Sequence, residues 1–162
     1  MILRNILRFF ILAFVQGAIL SQISLPFNLH IFLYIYFILL LPYQTPPWLL
    51  LSLGFASGAV VDILAGVAGL FAFSATLAAF TRIIFIRAAK INDLKNIRFR
   101  HFFFYTFWVC LTHSAAIFML DAFSFSNFGY TLFLIISSTI LSTILIVFCN
   151  AVFAPKNIHE TF

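Results

Sequence analysis

Long apolar runs, separated by short stretches that contain proline, glycine or charged residues, dominate this chain. A helix of about 20 apolar residues crosses the hydrocarbon core of a bilayer, which is roughly 30 Å thick. The pattern therefore predicts an all-α integral membrane protein, a bundle of about six transmembrane helices in one polytopic domain, residues 1–162. The predicted spans cover residues of about 6–25, 29–41, 48–64, 70–86, 102–120 and 130–153.

Prolines and glycines mark the predicted connections between these spans. Pro26 separates the first span from the second, and Pro42 ends the second. Trp48 stands where an interfacial aromatic residue opens the third span, while Gly66 and Gly69 interrupt the apolar run before the fourth. The first run follows a short basic segment, but no small-x-small cleavage motif follows it, so we interpret it as an uncleaved span.

Basic residues predict the orientation of the chain. Arg4 and Arg8 precede the first span, residues 87–100 form the one substantial polar stretch, and Lys156 follows the last span. With six spans, all three groups lie on one side, and the positive-inside rule assigns that side to the cytoplasm. We therefore predict cytoplasmic amino and carboxyl termini and a cytoplasmic basic loop with Arg87, Lys90, Lys95, Arg98 and Arg100.

The composition supports the membrane prediction and narrows the possible functions. Of 162 residues, 64% are hydrophobic and 8% are charged, and the mean hydropathy is +1.16. Soluble domains usually carry about 25% charged residues, and six spans leave no room for a separate soluble domain. The net charge of +5 is accordingly interpreted as topology information and attraction to anionic lipid, and binding of nucleic acid is not predicted.

The third span has the most distinct pattern, because Gly54, Gly58, Asp62 and Gly66 recur every four residues and share one side of a helix. Gly54 and Gly58 form a small-xxx-small pair, which allows close approach of another helix. An acid at membrane depth usually faces protein or water. Asp62 therefore has either a structural role in the bundle or a solvated position near the outer end of the span.

Other polar residues in the spans have simple interpretations. Arg82, near the inner end of the fourth span, is typical of a snorkelling anchor. His113 shares a face of the fifth span with Thr106 and Cys110, and a single His in a span is more often a packing residue than a ligand. Other polar side chains suit hydrogen bonds within and between helices: Gln16, Gln22, Ser137, Ser138, Thr139, Ser142 and Thr143.

Motifs that carry chemistry are missing from the sequence. It contains no GxSxG, HExxH or P-loop motif and no pair of carboxylates within a span. Nor does it contain a set of His, Cys, Asp and Glu at metal-ligand spacing. We therefore predict a protein that is not an enzyme and needs no cofactor or metal.

The stretch of residues 53–62, LGFASGAVVD, resembles the GFxxGxxxD motif of the MreD family of rod-shape-determining membrane proteins. Gln16, Pro42, Gly69 and Arg82 also fit the family pattern, and the resemblance covers nearly the whole chain. It implies a non-catalytic scaffold in the bacterial inner membrane, within the complex that directs lateral peptidoglycan synthesis. The implied partners are MreC, the actin-like MreB, the glycosyltransferase RodA and its partner transpeptidase.

The resemblance also implies roles for particular residues. Gly54, Gly58, Asp62, Gly66 and Arg82 would pack helices or dock a partner span, and the basic loop would face the cytoplasmic filament or anionic lipid. The family is distantly similar to the six-span substrate-binding subunits of energy-coupling-factor transporters. This similarity provides the alternative hypothesis, a vitamin-binding subunit whose outward polar pocket would use residues such as Asp62, His113 and Asp121.

Overall fold

A computed structural model describes residues 2–22, 29–42, 44–88, 99–122 and 128–153, with residues 2–6 and 99 described by their backbone alone. Within these ranges the regular structure is entirely helical. The helices are α1 Ile2–Phe14, α2 Ile35–Leu40, α3 Pro47–Ala65, α4 Leu70–Ala88, α5 Phe99–Ala122 and α6 Phe128–Phe153.

Four helices, α3 to α6, are long and apolar enough to cross a membrane. Their 19 to 26 residues correspond to about 28–39 Å at 1.5 Å per residue. Their exposed residues include large apolar side chains such as Trp48, Ile63 and Phe148, as expected of helices that face lipid. The prediction of an all-α chain with membrane-spanning helices is confirmed to this extent.

α1 does not continue as a regular α-helix through the predicted first span. It passes at Val15 into a π-helical turn, Val15–Leu20, in which Gln16 and Gly17 are buried. π-helical turns often occur where a side chain serves a special purpose. Here the turn coincides with a glutamine that points into the bundle.

The second predicted span differs most from its prediction. A continuous helix over residues 29–41 is wrong, because the helix comprises only Ile35–Leu40 and residues 29–33 are non-helical. We call residues 29–41 the half-helical segment. Its non-helical part and its short helix extend over at most roughly 25 Å, close to the thickness of the hydrocarbon core.

The half-helical segment lies in the centre of the bundle. Tyr34, Ile35 and Ile38 have no exposed surface. The segment runs in the same direction as α6, because its first residues contact Ser138 while the hydroxyl of Tyr36 reaches Asn150, 3.4 Å away. α3 to α6 pack as consecutive antiparallel neighbours around it.

Candidate functional site around the half-helical segment

Non-helical backbone at membrane depth needs hydrogen-bond partners from the protein, because lipid offers none. Gln16 supplies three of them to the half-helical segment. Its Oε1 accepts hydrogen bonds from the N–H groups of Leu33 (2.7 Å) and Tyr34 (3.4 Å), and its Nε2 donates to the carbonyl of Ile31 (2.9 Å). The side chain is 2% exposed, so these backbone groups are hydrogen-bonded to a buried amide instead of to water.

Two serines of α6 serve the other side of the same stretch. The Ser138 hydroxyl accepts from the N–H of His30 (3.2 Å), and the Ser142 hydroxyl accepts from the N–H of Phe32 (2.9 Å). Residues 30 and 32 therefore face α6, whereas residues 31 and 33 face the π-helical turn after α1, which is the alternation of an extended chain. The spacing of four residues between the serines matches the spacing of two residues in the extended stretch.

Arg82 binds the other end of the half-helical segment. Its guanidinium donates to the carbonyls of Ile38, Leu41 and Pro42, the last at 3.4 Å. Ile38 lies in the last turn of α2 and the other two residues directly follow the helix, at the end where the helix dipole favours a cation. The interpretation of Arg82 as a snorkelling anchor is wrong, because its side chain is 1% exposed and bonded inside the bundle.

Asp62 connects α3 to α4. Its two carboxylate oxygens accept from the N–H groups of Phe71 and Ala72, both at 2.9 Å, in the first turn of α4. A carboxylate at this place satisfies unpaired N–H groups and interacts favourably with the helix dipole. With 5% exposure, Asp62 has the structural position, not the solvated one.

The glycines of α3 set the distance between α3 and α4. A Cβ at Gly58 would overlap the carbonyl oxygen of Phe71 and lie 2.5 Å from the Cα of Ala72. At Gly54 it would lie 3.1 Å from the carbonyl oxygen of Ala75. The two backbones are therefore in contact, and the glycine pair of the sequence faces α4 of its own chain.

Gly66 has another function, because it ends α3 in the left-handed conformation with φ of 70°. The N–H of Val67 then returns to the carbonyl of Asp62 at 3.0 Å. Glycine is the usual residue at this position, since a side chain is strained at positive φ. The turn positions α4 so that its first N–H groups meet the Asp62 carboxylate.

His113 of α5 belongs to the same set of contacts. The hydroxyl of Tyr34 lies 2.5 Å from its Nε2 and 3.3 Å from the carbonyl oxygen of Phe71. The rings of His113 and Phe32 pack edge to face at 4.7 Å. Tyr34 thus links the half-helical segment to α5 and to the first turn of α4.

The three residues of the hypothetical vitamin pocket do not form an open polar pocket, although Asp62 and His113 lie near each other on either side of Tyr34 and Phe71. Asp62 and His113 are buried and hydrogen-bonded within the bundle, while Asp121 is exposed at the end of α5. A groove of about 480 Å³ does lie along α3 and α4, lined mainly by apolar side chains that include Phe55, Ile63 and Phe73. Over the described residues, no three His, Cys, Asp or Glu side chains are grouped as metal ligands.

Only part of the predicted cytoplasmic basic loop lies within the described residues. Arg87 is exposed at the end of α4, and Arg100 is exposed at the start of α5. The ring of Phe85 packs 5.3 Å from that of Tyr105, so these two helix ends lie at the same side of the bundle. Lys90, Lys95 and Arg98 lie outside the described residues, and the role of the loop stays a prediction.

Sequence reasoning missed the shared target of these polar residues. Gln16, Ser138 and Ser142 were interpreted as general hydrogen bonding between helices, yet all three bind the backbone of one short stretch. The available signal was the number of side chains with strong hydrogen-bonding groups in predicted spans that hold few charges, which indicates that some backbone in the membrane needs partners. No sequence pattern indicates which backbone receives them.

Comparison with known proteins adds no identification. No protein-family model, curated protein or solved structure matches the chain. The resemblance to MreD therefore depends on the residues quoted above, and their geometry is what bears on function. Five of them lie at contacts within the chain: Gln16, Gly54, Gly58, Asp62 and Arg82.

Proposed function

We propose that this chain is a non-catalytic membrane scaffold of the bacterial cell-wall elongation complex, of the MreD kind. In this role it links MreC and MreB to RodA and its partner transpeptidase within the inner membrane. One observation carries the proposal: the polar residues that give the resemblance are used to bind the chain's own backbone.

Gln16, Asp62 and Arg82 illustrate this use. Each binds at least two backbone groups of another segment, and each is at most 5% exposed. A residue that reacts with a substrate needs access to it and a partner to activate it. Residues fixed in this way instead stabilise one shape, which is the property required of a scaffold that presents surfaces to several partners.

The path of the half-helical segment supports six crossings. The ring of His30, at its start, lies 5.9 Å from that of Phe118, near the end of α5. Its other end is bound by Arg82, near the end of α4. Because those helix ends lie on opposite sides of the bundle, the segment serves as the second crossing, and both termini fall on the side of Arg87 and Arg100.

This topology is tested by reporter fusions to the full chain. A fusion at Asn92 and one at the carboxyl end are expected to read cytoplasmic, and one at Ser126 is expected to read from the opposite side. If the half-helical segment returned to its starting side instead of crossing, Asn92 and the carboxyl end would lie on the side opposite the amino end.

The vitamin-binding alternative is less well supported. Such a subunit requires an outward pocket with several free polar groups, which hold a polar ligand by directional contacts. Asp62 and His113 already bind groups of the chain, and the groove along α3 and α4 is mainly apolar. An apolar groove of this kind suits a lipid-embedded partner helix, such as the single span of MreC.

Site-specific photo-crosslinking in native membranes tests the scaffold proposal. A photoreactive residue would replace Phe55 or Phe73 in the groove, with Ile144 or Phe148 on the exposed face of α6 as matched controls. Crosslinks from the groove to MreC or RodA, weaker or missing at α6, are expected. Recovery of a transporter ATPase pair, or of no cell-wall protein at either face, would contradict the proposal.

A further inference from the structure

Two sets of hydroxyl groups on these helices differ in their hydrogen bonds. In the first set, the hydroxyl donates to the carbonyl four residues earlier in its own helix, as is common for Ser and Thr in spans. Thr112 of α5, for example, donates to the Trp108 carbonyl at 2.9 Å. The other members with this bond are Ser52, Ser74, Thr76 and Thr81.

The second set lies between α5 and α6 and makes no such bond. Thr106, Ser114, Thr139 and Thr143 are at most 1% exposed. The hydroxyl oxygens of Thr106, Ser114 and Thr139 have no hydrogen-bond partner in the part of the chain that the structure describes, and Thr143 is paired with the Cys110 thiol alone. Nδ1 of His113, which directly precedes Ser114, also has no partner within the described residues.

Helix geometry places these groups in one row. The Thr143 hydroxyl lies beside the Cys110 thiol. Because α5 and α6 run antiparallel, one turn further outward brings Ser114 level with Thr139, and one turn inward on α5 lies Thr106. The row therefore follows the interface of the two helices through the interior of the bundle.

The inner end of the row reaches Arg82. The Tyr105 hydroxyl is paired with the Arg82 guanidinium, and this pair forms the inner end of the row. From Tyr105 to Ser114 the rise along α5 is about 14 Å. The outer end is His113, whose other ring nitrogen contacts Tyr34 of the half-helical segment.

A buried hydroxyl without a partner is strongly unfavourable, because the hydrogen bonds that it makes to water in the unfolded chain are lost and nothing replaces them. Internal water removes this penalty, because one molecule both donates and accepts and usually has about three polar partners. We propose that the interface of α5 and α6 binds a row of internal water molecules between Arg82 and His113. The water would connect the Arg82 end of the half-helical segment, through the interface of α5 and α6, to the His113 end.

Solid-state NMR on the full chain in lipid nanodiscs, labelled at Thr, tests this directly. Magnetisation transferred from water is expected to reach Thr106, Thr139 and Thr143 faster than Thr112. Thr112 is the matched control, because it lies on α5 between Thr106 and Ser114 and bonds its own helix. Equally slow transfer to all four threonines would overturn the proposal. This measurement uses the natural sequence, so it does not depend on the folding of a variant.

Variants give a second, independent readout. Thr106→Val and Thr139→Val keep the side-chain shape but remove a water ligand, so each is expected to lower Tm by about 2–4 °C. Thr112→Val is the control and should change Tm less. If the two hydroxyls were dry and unpaired, the valine variants would raise Tm, and the proposal would be wrong.

Discussion

The hairpin formed by α3 and α4 and the half-helical segment are held in place inside the bundle in different ways. In the hairpin, each helix satisfies its own backbone, and the two helices meet so closely that Gly58 has no room for a side chain. In the half-helical segment, residues 30–34 depend on side chains from the π-helical turn and from α6. The hairpin is fixed by shape, whereas the segment is fixed by hydrogen bonds.

This difference determines which substitutions each region tolerates. A region held by backbone contact is damaged by added volume and is less sensitive to the loss of a polar atom. A region held by side-chain hydrogen bonds is damaged by the loss of one polar group, because the groups left behind cannot turn to water. Asp62 belongs to both kinds, since it caps a helix at the closed end of the hairpin.

The largest effect is expected from added volume in the hairpin. Gly58→Leu should separate α3 from α4 and destabilise the protein by more than about 4 kcal/mol, because the clash is with backbone. Thermal unfolding and gel filtration in detergent measure this, with Gly129→Leu as control, since a Cβ there meets nothing within 4 Å. Normal folding of Gly58→Leu would mean that the hairpin is open in solution.

The next largest effect is expected from Gln16→Leu. It leaves three buried backbone groups unsatisfied and should cost roughly 3–5 kcal/mol. Gln22→Leu is the matched control, since Gln22 is exposed. Equal unfolding temperatures for the two variants would show that the half-helical segment does not depend on the Gln16 amide.

A smaller loss is expected from Asp62→Asn. The amide keeps one acceptor but loses the second acceptor and the charge that faces the α4 dipole, which together contribute about 1–2 kcal/mol. Asp121→Asn is the control, because Asp121 is exposed at the end of α5. An unchanged unfolding temperature for Asp62→Asn would show that the turn at Gly66 positions α4 without the carboxylate.

The smallest effect is expected from Ser142→Ala, which removes one acceptor from the N–H of Phe32 and should destabilise by about 1 kcal/mol. Hydrogen exchange resolves the effect locally, with faster exchange expected at Phe32 and unchanged exchange in α3. Ser52→Ala provides the comparison, since that hydroxyl is bonded only to its own helix. Faster exchange in both regions would indicate general loosening of the bundle.

The sequence predicted the hairpin well because its determinants are local. Apolar runs mark α3 and α4, Gly66 marks the break between them, and the four-residue spacing of Gly54, Gly58 and Asp62 places them on one side of a helix. The partner of Asp62 was not predictable from the pattern. It depends on the angle of the turn at Gly66, which the pattern does not specify.

The half-helical segment was not predictable in the same way. Residues 29–33 carry no glycine or proline that would break a helix. Their conformation depends on Gln16 and on serines 108 and 110 residues further along the chain. Likewise, the burial of Arg82 follows from the early end of α2 at Leu40, which leaves carbonyls for it to bind.

The distance in sequence between the half-helical segment and its serines has a consequence for biosynthesis. The ribosome makes residues 29–33 early, but Ser138 and Ser142 belong to the last helix of the described chain. Until α6 enters the membrane, the N–H groups of His30 and Phe32 lack their final acceptors. The half-helical segment therefore reaches its final hydrogen bonding only after α6 has been made, and a chain that stops before α6 leaves the N–H groups of residues 30 and 32 without these acceptors.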